Sequence, residues 1–89
     1  MPLFVVEAYT PTEALLPDIE ARIRRATPEG AAVCHLRSIY IPGDQTCFHL
    51  FTAPTTAHAH AVAERAALEP QRIVEAVERA PGADGAAKL

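Results

Sequence analysis

Tryptophan is absent from this chain, and five residues in all are Phe or Tyr. A core built without large aromatics must be built from aliphatics and alanine, and hydrophobic residues make up 49% of the 89 positions. A chain this short is one domain. It buries about 60–65% of the surface its unfolded form exposes, so small domains of this kind often complete their core by dimerising. Basic residues are also scarce. The formal net charge is -3, and only Arg22, Arg24 and Arg25 lie close together. Nucleic-acid binding needs a concentrated basic face and is not expected. The arginine trio reads as a solvated helix face.

No apolar run approaches the ~18 residues of a membrane span. The opening "MPLFVVEAY" has no positively charged stretch and carries Glu7, so it does not read as a signal peptide. The expectation is a cytoplasmic protein with Cys34 and Cys47 reduced. Two cysteines spaced this way match no zinc motif. Only four glycines are present, and no phosphate-cradling loop, dinucleotide fingerprint, nucleophile elbow or haem motif occurs. No organic cofactor is indicated.

What the chain does have is an alternation of strand-like and helix-like segments. "LFVVEAY", residues 3–9, is rich in β-formers. "TPTE", residues 10–13, is a helix start with Thr10 as N-cap, Pro11 at the first helical position and Glu13 completing a capping box. Pro17 breaks a single long helix. The expectation is a first turn at 11–15 and a main helix over 17–27, with Ile19 and Ile23 on one face. Residues 31–41 read as a long strand, Pro42–Gln45 as a hairpin turn, and 46–52 as the returning strand. Thr55 caps a second helix over 56–68, stopped by Glu69-Pro70. Residues 71–80 read as a fourth strand, with a helix as the competing assignment. Residues 81–89 read as a flexible small-residue tail, leaving 1–80 as the domain.

The order strand, helix, strand, strand, helix, strand predicts an α+β fold: a ferredoxin-like βαββαβ sandwich, with a four-stranded antiparallel sheet and both helices on one face. A hairpin centred on Gly43 and Asp44 sets Tyr40 opposite Cys47 and Ser38 opposite His49. Alternation then places Phe4, Val6, Ala8, Val33, His35, Arg37, Ile39, Ile41, Phe48 and Leu50 toward the helices. Glu7, Tyr9, Cys34, Leu36, Ser38, Tyr40, Cys47, His49 and Phe51 fall on the open face. That mixture of aromatic and titratable groups predicts a cover, most simply the same face of a second copy in a homodimer. Cys34 lies roughly 20 Å from the partner of Cys47 at the usual strand rise, so no intrachain disulfide is expected.

His49 with Cys47, Tyr40 and Glu7 is the leading cluster for chemistry. Imidazole, thiolate and carboxylate suit nickel or another divalent transition metal, with His49, Glu7 and Cys47 as its ligands. The same residues also suit ordinary packing, with His49 hydrogen-bonded to Ser38 or Glu7. His58 and His60 are about 200° apart on a helix and cannot clamp one ion. They read as surface or capping residues, His58 taking a local contact near Thr55. His35 reads as a rim histidine.

"FVVEAYTP" (4–11) and "RSIYIPGDQTCFHLFTAPTTAHAHAVAERAALEPQRIVEAVE" (37–78) together resemble a family of small bacterial domains described as nickel-binding or of unknown function. The resemblance implies the ferredoxin-like fold, a homodimer and, for some members, nickel held through histidine-containing sites. Such folds are also similar to dimeric α+β barrel monooxygenases and cyclases. This chain has His49 where many relatives have Cys, Val62 where many have His, and Ala8 and Tyr9 where nickel-binding relatives carry histidines. Two functions therefore stand side by side. One is a cytoplasmic homodimer binding a nickel-type metal on its open sheet face. The other is a protein or enzyme acting on a small organic ligand, with His49 or Glu7 as acid/base and Tyr9, Tyr40 and Ser38 orienting the ligand.

Overall fold

The computed structural model describes residues 1–81. Its elements are β1 (Leu3–Tyr9), α1 (Leu16–Ala26), β2 (Cys34–Ile41), β3 (Thr46–Thr52), α2 (Thr56–Arg65) and β4 (Arg72–Ala76). The four strands form one antiparallel sheet in the order β2-β3-β1-β4, with two helices packed on it, as a ferredoxin-like fold requires. The tail expected from residue 81 onward lies almost wholly outside the described residues.

Local chemistry explains the element ends. The first helix is preceded by a single 3-10 turn, Glu13–Leu15, whose cap is Thr12 and not Thr10. The Thr12 hydroxyl accepts from the Ala14 N–H at 3.3 Å. Pro17 then sits in the first turn of α1, where its missing N–H costs nothing. Thr55 caps α2 as expected, accepting from the His58 N–H at 3.3 Å, and His58 Nδ1 lies 2.7 Å from the same hydroxyl. The hairpin between β2 and β3 is wider than a two-residue turn. Pro42–Asp44 form a 3-10 turn, and Gln45 closes it in the left-handed region at φ 49°. β4 is five residues long, shorter than its expected span, because Ala76 is the last residue to find a partner, Leu3, on β1.

The core lies between the sheet and the helices. Phe4, Val6 and Phe51 of the sheet meet Ile19 and Ile23 of α1 and Ala59, Val62 and Ala63 of α2. Burying a side chain such as Phe or Ile contributes about 1.5–3 kcal/mol. α2 is rich in alanine on its buried side, which brings its backbone close to the sheet. Arg22 ties the two helices together. Its Nε donates to the Ala66 carbonyl at 2.9 Å and an Nη to Asp18 at 2.6 Å. That places a cation on the carbonyl end of α2, the favourable end of its dipole.

The sheet faces are the reverse of the sequence expectation for β3. Direct partners across antiparallel strands share a face, and Phe4 pairs Phe51, Val6 pairs His49 and Ala8 pairs Cys47. Phe51, His49 and Cys47 therefore lie under the helices with Phe4, Val6 and Ala8. Tyr40 and Ser38, opposite Cys47 and His49, lie there too. Ile39, Ile41, Phe48, Leu50 and Arg37 belong to the open face, with Glu7. The turn-end aliphatics had suggested the opposite. Partners on β1 and β3 must share a face, and that pairing outweighs the placement of β-branched residues.

A second departure sits in β2. His35 pairs Phe51 but Arg37 pairs Leu50, so two steps on β2 match one step on β3, and Leu36 is the extra residue of a bulge. Arg37 emerges on the open face and forms an ion pair with Glu78, beyond the end of β4. β2 and β4 are opposite edges of the sheet, so the chain leaving β4 leans back across that face.

Candidate functional site

β3 is the second strand in from one edge and is flanked on both sides. This buries Cys47, His49, Leu50 and Phe51 and makes His49 the polar centre of an otherwise apolar strand. His49 has no exposed surface. Its Nδ1 lies 2.6 Å from the Ser38 hydroxyl and 3.8 Å from the Cys47 sulfur. Ser38 also lies 2.9 Å from His35 Nε2, so one hydroxyl joins two imidazoles. The two histidine rings are 6.2 Å apart, and His35 packs on Phe51 at 5.0 Å.

The other nitrogen of His49, Nε2, is buried with no hydrogen-bond partner among the described residues. Leaving such a group unsatisfied costs about 1–3 kcal/mol, and native folds rarely tolerate it without a reason. His49 lines a cavity of about 260 Å³ between the end of β1, α1 and the turn that follows α2, with Ala8, Thr10, Ile19, Arg22 and Leu68 among its walls. Nδ1 is occupied by Ser38, so Nε2 is the free hydrogen-bonding atom of the ring. A larger groove of about 440 Å³ lies between α2 and β4, bordered by His60, Glu64 and Pro70. Its polar side chains, His60, Glu64 and Glu69, are exposed. The smaller cavity is the better site because His49, the ring with the unsatisfied nitrogen, lines it.

Burial sets the electrostatics. It pushes the His49 pKa down to about 4, helped by the neighbouring His35 charge, so the ring is neutral at pH 7. Burial also lowers His35, against the backbone of Arg37 and the Glu20 carboxylate, both of which favour its charged form. The Cys47 thiol is raised by burial and then by Glu20, so it stays protonated.

The residues expected to form a site are only partly brought together. His49, Cys47 and Ser38 are in contact, on the covered face and not on the open one. Glu7 is on the other side of the sheet, paired with Phe48. Tyr9, 57% exposed at the end of β1, borders the same cavity as His49. The Tyr40 hydroxyl donates to the Thr10 carbonyl at 3.0 Å, which leaves it tethered. Glu7 and His49 therefore lie on opposite faces of the sheet, and Glu7, Cys47 and His49 do not converge on one ion. Among the described residues no group of three or more His, Cys, Asp or Glu side chains is arranged to hold a metal. His35 is the residue that sequence reasoning undervalued. The signal was His35-x-x-Ser38, an odd spacing that strict alternation sends to opposite faces.

The turn that follows α2 closes one wall of the cavity. The Ala67 N–H donates to the Glu64 carbonyl and the Leu68 N–H to the Ala63 carbonyl, both at 3.0 Å, the pattern of a Schellman close. Ala67 sits at φ 54° and Glu69 at φ 49°, left-handed positions where glycine is the comfortable residue.

No family model and no curated protein matches this sequence. Among solved structures, the crystal structure of SCO4226 from Streptomyces coelicolor A3(2) superposes with a TM-score of 0.72 over 88% of this chain and 99% of that one, at 20% identity. At that identity the likeness is one of fold. Among the described residues no helix is long and apolar enough to cross a membrane.

Proposed function

We propose that this chain is a small-molecule-binding domain whose site is the cavity between the sheet and the helices, with His49 as its recognition group. The observation that carries this reading is a 260 Å³ cavity lined by His49, a ring whose Nε2 is buried and unpartnered. That volume is just under the usual range of ligand pockets, about 300–1,000 Å³, and suits a compact ligand. A pKa near 4 argues against His49 as a general base near neutral pH and for a hydrogen-bonding role. Calorimetric titration with a panel of small aromatic carboxylic acids and phenols tests it. Binding by wild type and a loss of at least about tenfold, roughly 1.4 kcal/mol, in His49→Phe supports the reading. Equal affinity in both proteins contradicts it.

A nickel-type metal is the second reading, favoured by the nitrogen–sulfur pair of His49 and Cys47 at 3.8 Å. Among the described residues it has two protein donors in contact, and one is a thiol held protonated. Nickel and zinc titrations of the same two proteins separate it from the first.

We further infer that the functional unit is a homodimer joined through the open sheet face. Ile39 and Ile41 are exposed there beside half-buried Val5, Phe48 and Val74. Glu7 lies on the same face as Arg37 and Arg72. A two-fold contact sets a surface against itself, and a face with both charges around an apolar centre is compatible with that.

A further inference from the structure

The three arginines of α1 do not share a face. On a helix, residues three apart are neighbours, and residues one or two apart are not. Arg22 and Arg25 accordingly stand together, while Arg24 borders a different cleft with Glu29. Arg65, the last residue of α2, joins the first two. Arg22, Arg25, Ala26 and Arg65 line a cleft of about 340 Å³ between the C-terminal turns of the two helices. Among the described residues no carboxylate lines it.

The helix sequences explain why charge is left over there. Asp18 stands four residues before Arg22 and Glu20 four before Arg24, the spacing of an intrahelical ion pair. Four residues before Arg25 and Arg65 stand Ala21 and Ala61. Among the described residues neither of these two guanidiniums has a hydrogen-bond or ion-pair partner. Each lies in the last turn of its helix, where the dipole favours a cation. That accounts for either residue alone, and not for both meeting Arg22 at one cleft. Three arginines and the Asp18 carboxylate sum to a local charge of 3 - 1 = +2, in a chain of net charge -3.

We propose that this cleft binds a phosphate group, as inorganic phosphate or as the monoester of a small organic molecule, with Arg22 as a fixed anchor and Arg25 and Arg65 closing on it. Arg22 is already held. Its Nε donates to the Ala66 carbonyl at 2.9 Å, one Nη donates to Asp18 at 2.6 Å, and the other lies 3.5 Å from the Ala67 carbonyl. A guanidinium has five N–H groups, so two remain for a ligand. Arg25 and Arg65 are exposed, and their full donor sets are open to an anion. The planar fork of arginine matches oxyanions with paired hydrogen bonds. A carboxylate is flat and fills one fork. A phosphate monoester carries close to two negative charges at neutral pH and three diverging acceptor oxygens, which suits three guanidiniums around one cleft. Arg22 is the one lining residue this cleft has in common with the His49 cavity, so the phosphate site stands apart from the cavity reading.

Titration with sodium phosphate and with glycerol phosphate at neutral pH tests the site, followed by NMR of the backbone amides and arginine Nε–H groups. Sodium chloride at matched ionic strength is the blank, because screening alone moves exposed charges. Wild type is expected to show saturable shifts at Arg22, Arg25, Ala26 and Arg65. Arg25→Gln with Arg65→Gln should lose at least about tenfold in affinity. Arg24→Gln with Arg79→Gln removes the same charge outside the cleft and should bind as wild type does. All these arginines are exposed, so both double variants keep the fold. Tighter binding of glycerol phosphate assigns the site to a monoester, and equal or weaker binding assigns it to inorganic phosphate. No saturable shift with either probe, undiminished affinity in Arg25→Gln with Arg65→Gln, or an equal loss in the two double variants overturns the site.

Discussion

His49 stands directly opposite Val6 on neighbouring strands, and neither has exposed surface. An aliphatic thus faces a neutral imidazole in the same apolar layer, and the imidazole keeps one nitrogen unsatisfied. A histidine retained at such a position trades stability for something else. His49→Phe fills a similar volume and removes the orphaned nitrogen. It should fold with stability equal to wild type or up to about 1 kcal/mol greater, while losing ligand binding. Urea melts of the two proteins check this. A loss of 3 kcal/mol or more would show that His49 is there chiefly for structure.

The same ring gives the fold an acid-side weakness. Its pKa falls from 6.5 to about 4 on folding, so between those pH values the unfolded chain binds a proton that the folded chain refuses. Stability from this group is therefore complete above pH 6.5 and is lost as pH falls toward 4, by up to about 3 kcal/mol. His35, also lowered, acts in the same direction. Thermal melts from pH 7 to pH 4 should fall more steeply in wild type than in His49→Phe. The Cys47 thiol, raised on folding, removes stability at the other end, above its usual value of 9.0.

Ala67 occupies the left-handed residue of the Schellman close at φ 54°. Glycine pays no Cβ penalty there, so Ala67→Gly should raise stability by about 0.5–1 kcal/mol, or a few degrees in Tm for a domain of this size. Most alanine-to-glycine changes do the opposite, which makes the sign informative. Calorimetric melting decides it.

Exposed isoleucines on the open face carry the dimer prediction. Ile39→Lys with Ile41→Lys should yield a monomer by light scattering at concentrations where wild type is a dimer, with His49 chemical shifts unchanged. Wild type running as a monomer at hundreds of micromolar would contradict the dimer and leave the cavity reading intact.

Much of the fold was legible because its signals are local. Turn residues, the Thr55 cap and the order of strand-like and helix-like runs led directly to the βαββαβ arrangement. The hairpin register, Tyr40 with Cys47 and Ser38 with His49, also followed from the turn position. The site was legible only as a pair, His49 with Ser38. The face was not, because it depends on which strands become neighbours, and β1 against β3 is a long-range pairing. Once Val6 meets His49, the histidine must go under the helices and Glu7 must leave it. The bulge at Leu36 was equally hidden, since no residue type announces an extra step in a strand, and with it went the partnership of His35.

The central claim is that the cavity lined by His49 binds a small molecule. Backbone and histidine-ring chemical-shift mapping during a benzoic acid titration at pH 5 tests it most directly. The account predicts saturable shifts at Ala8, Thr10, His49 and Leu68, absent in His49→Phe. Shifts confined to the groove around His60 and Pro70, or none up to millimolar ligand, would contradict it.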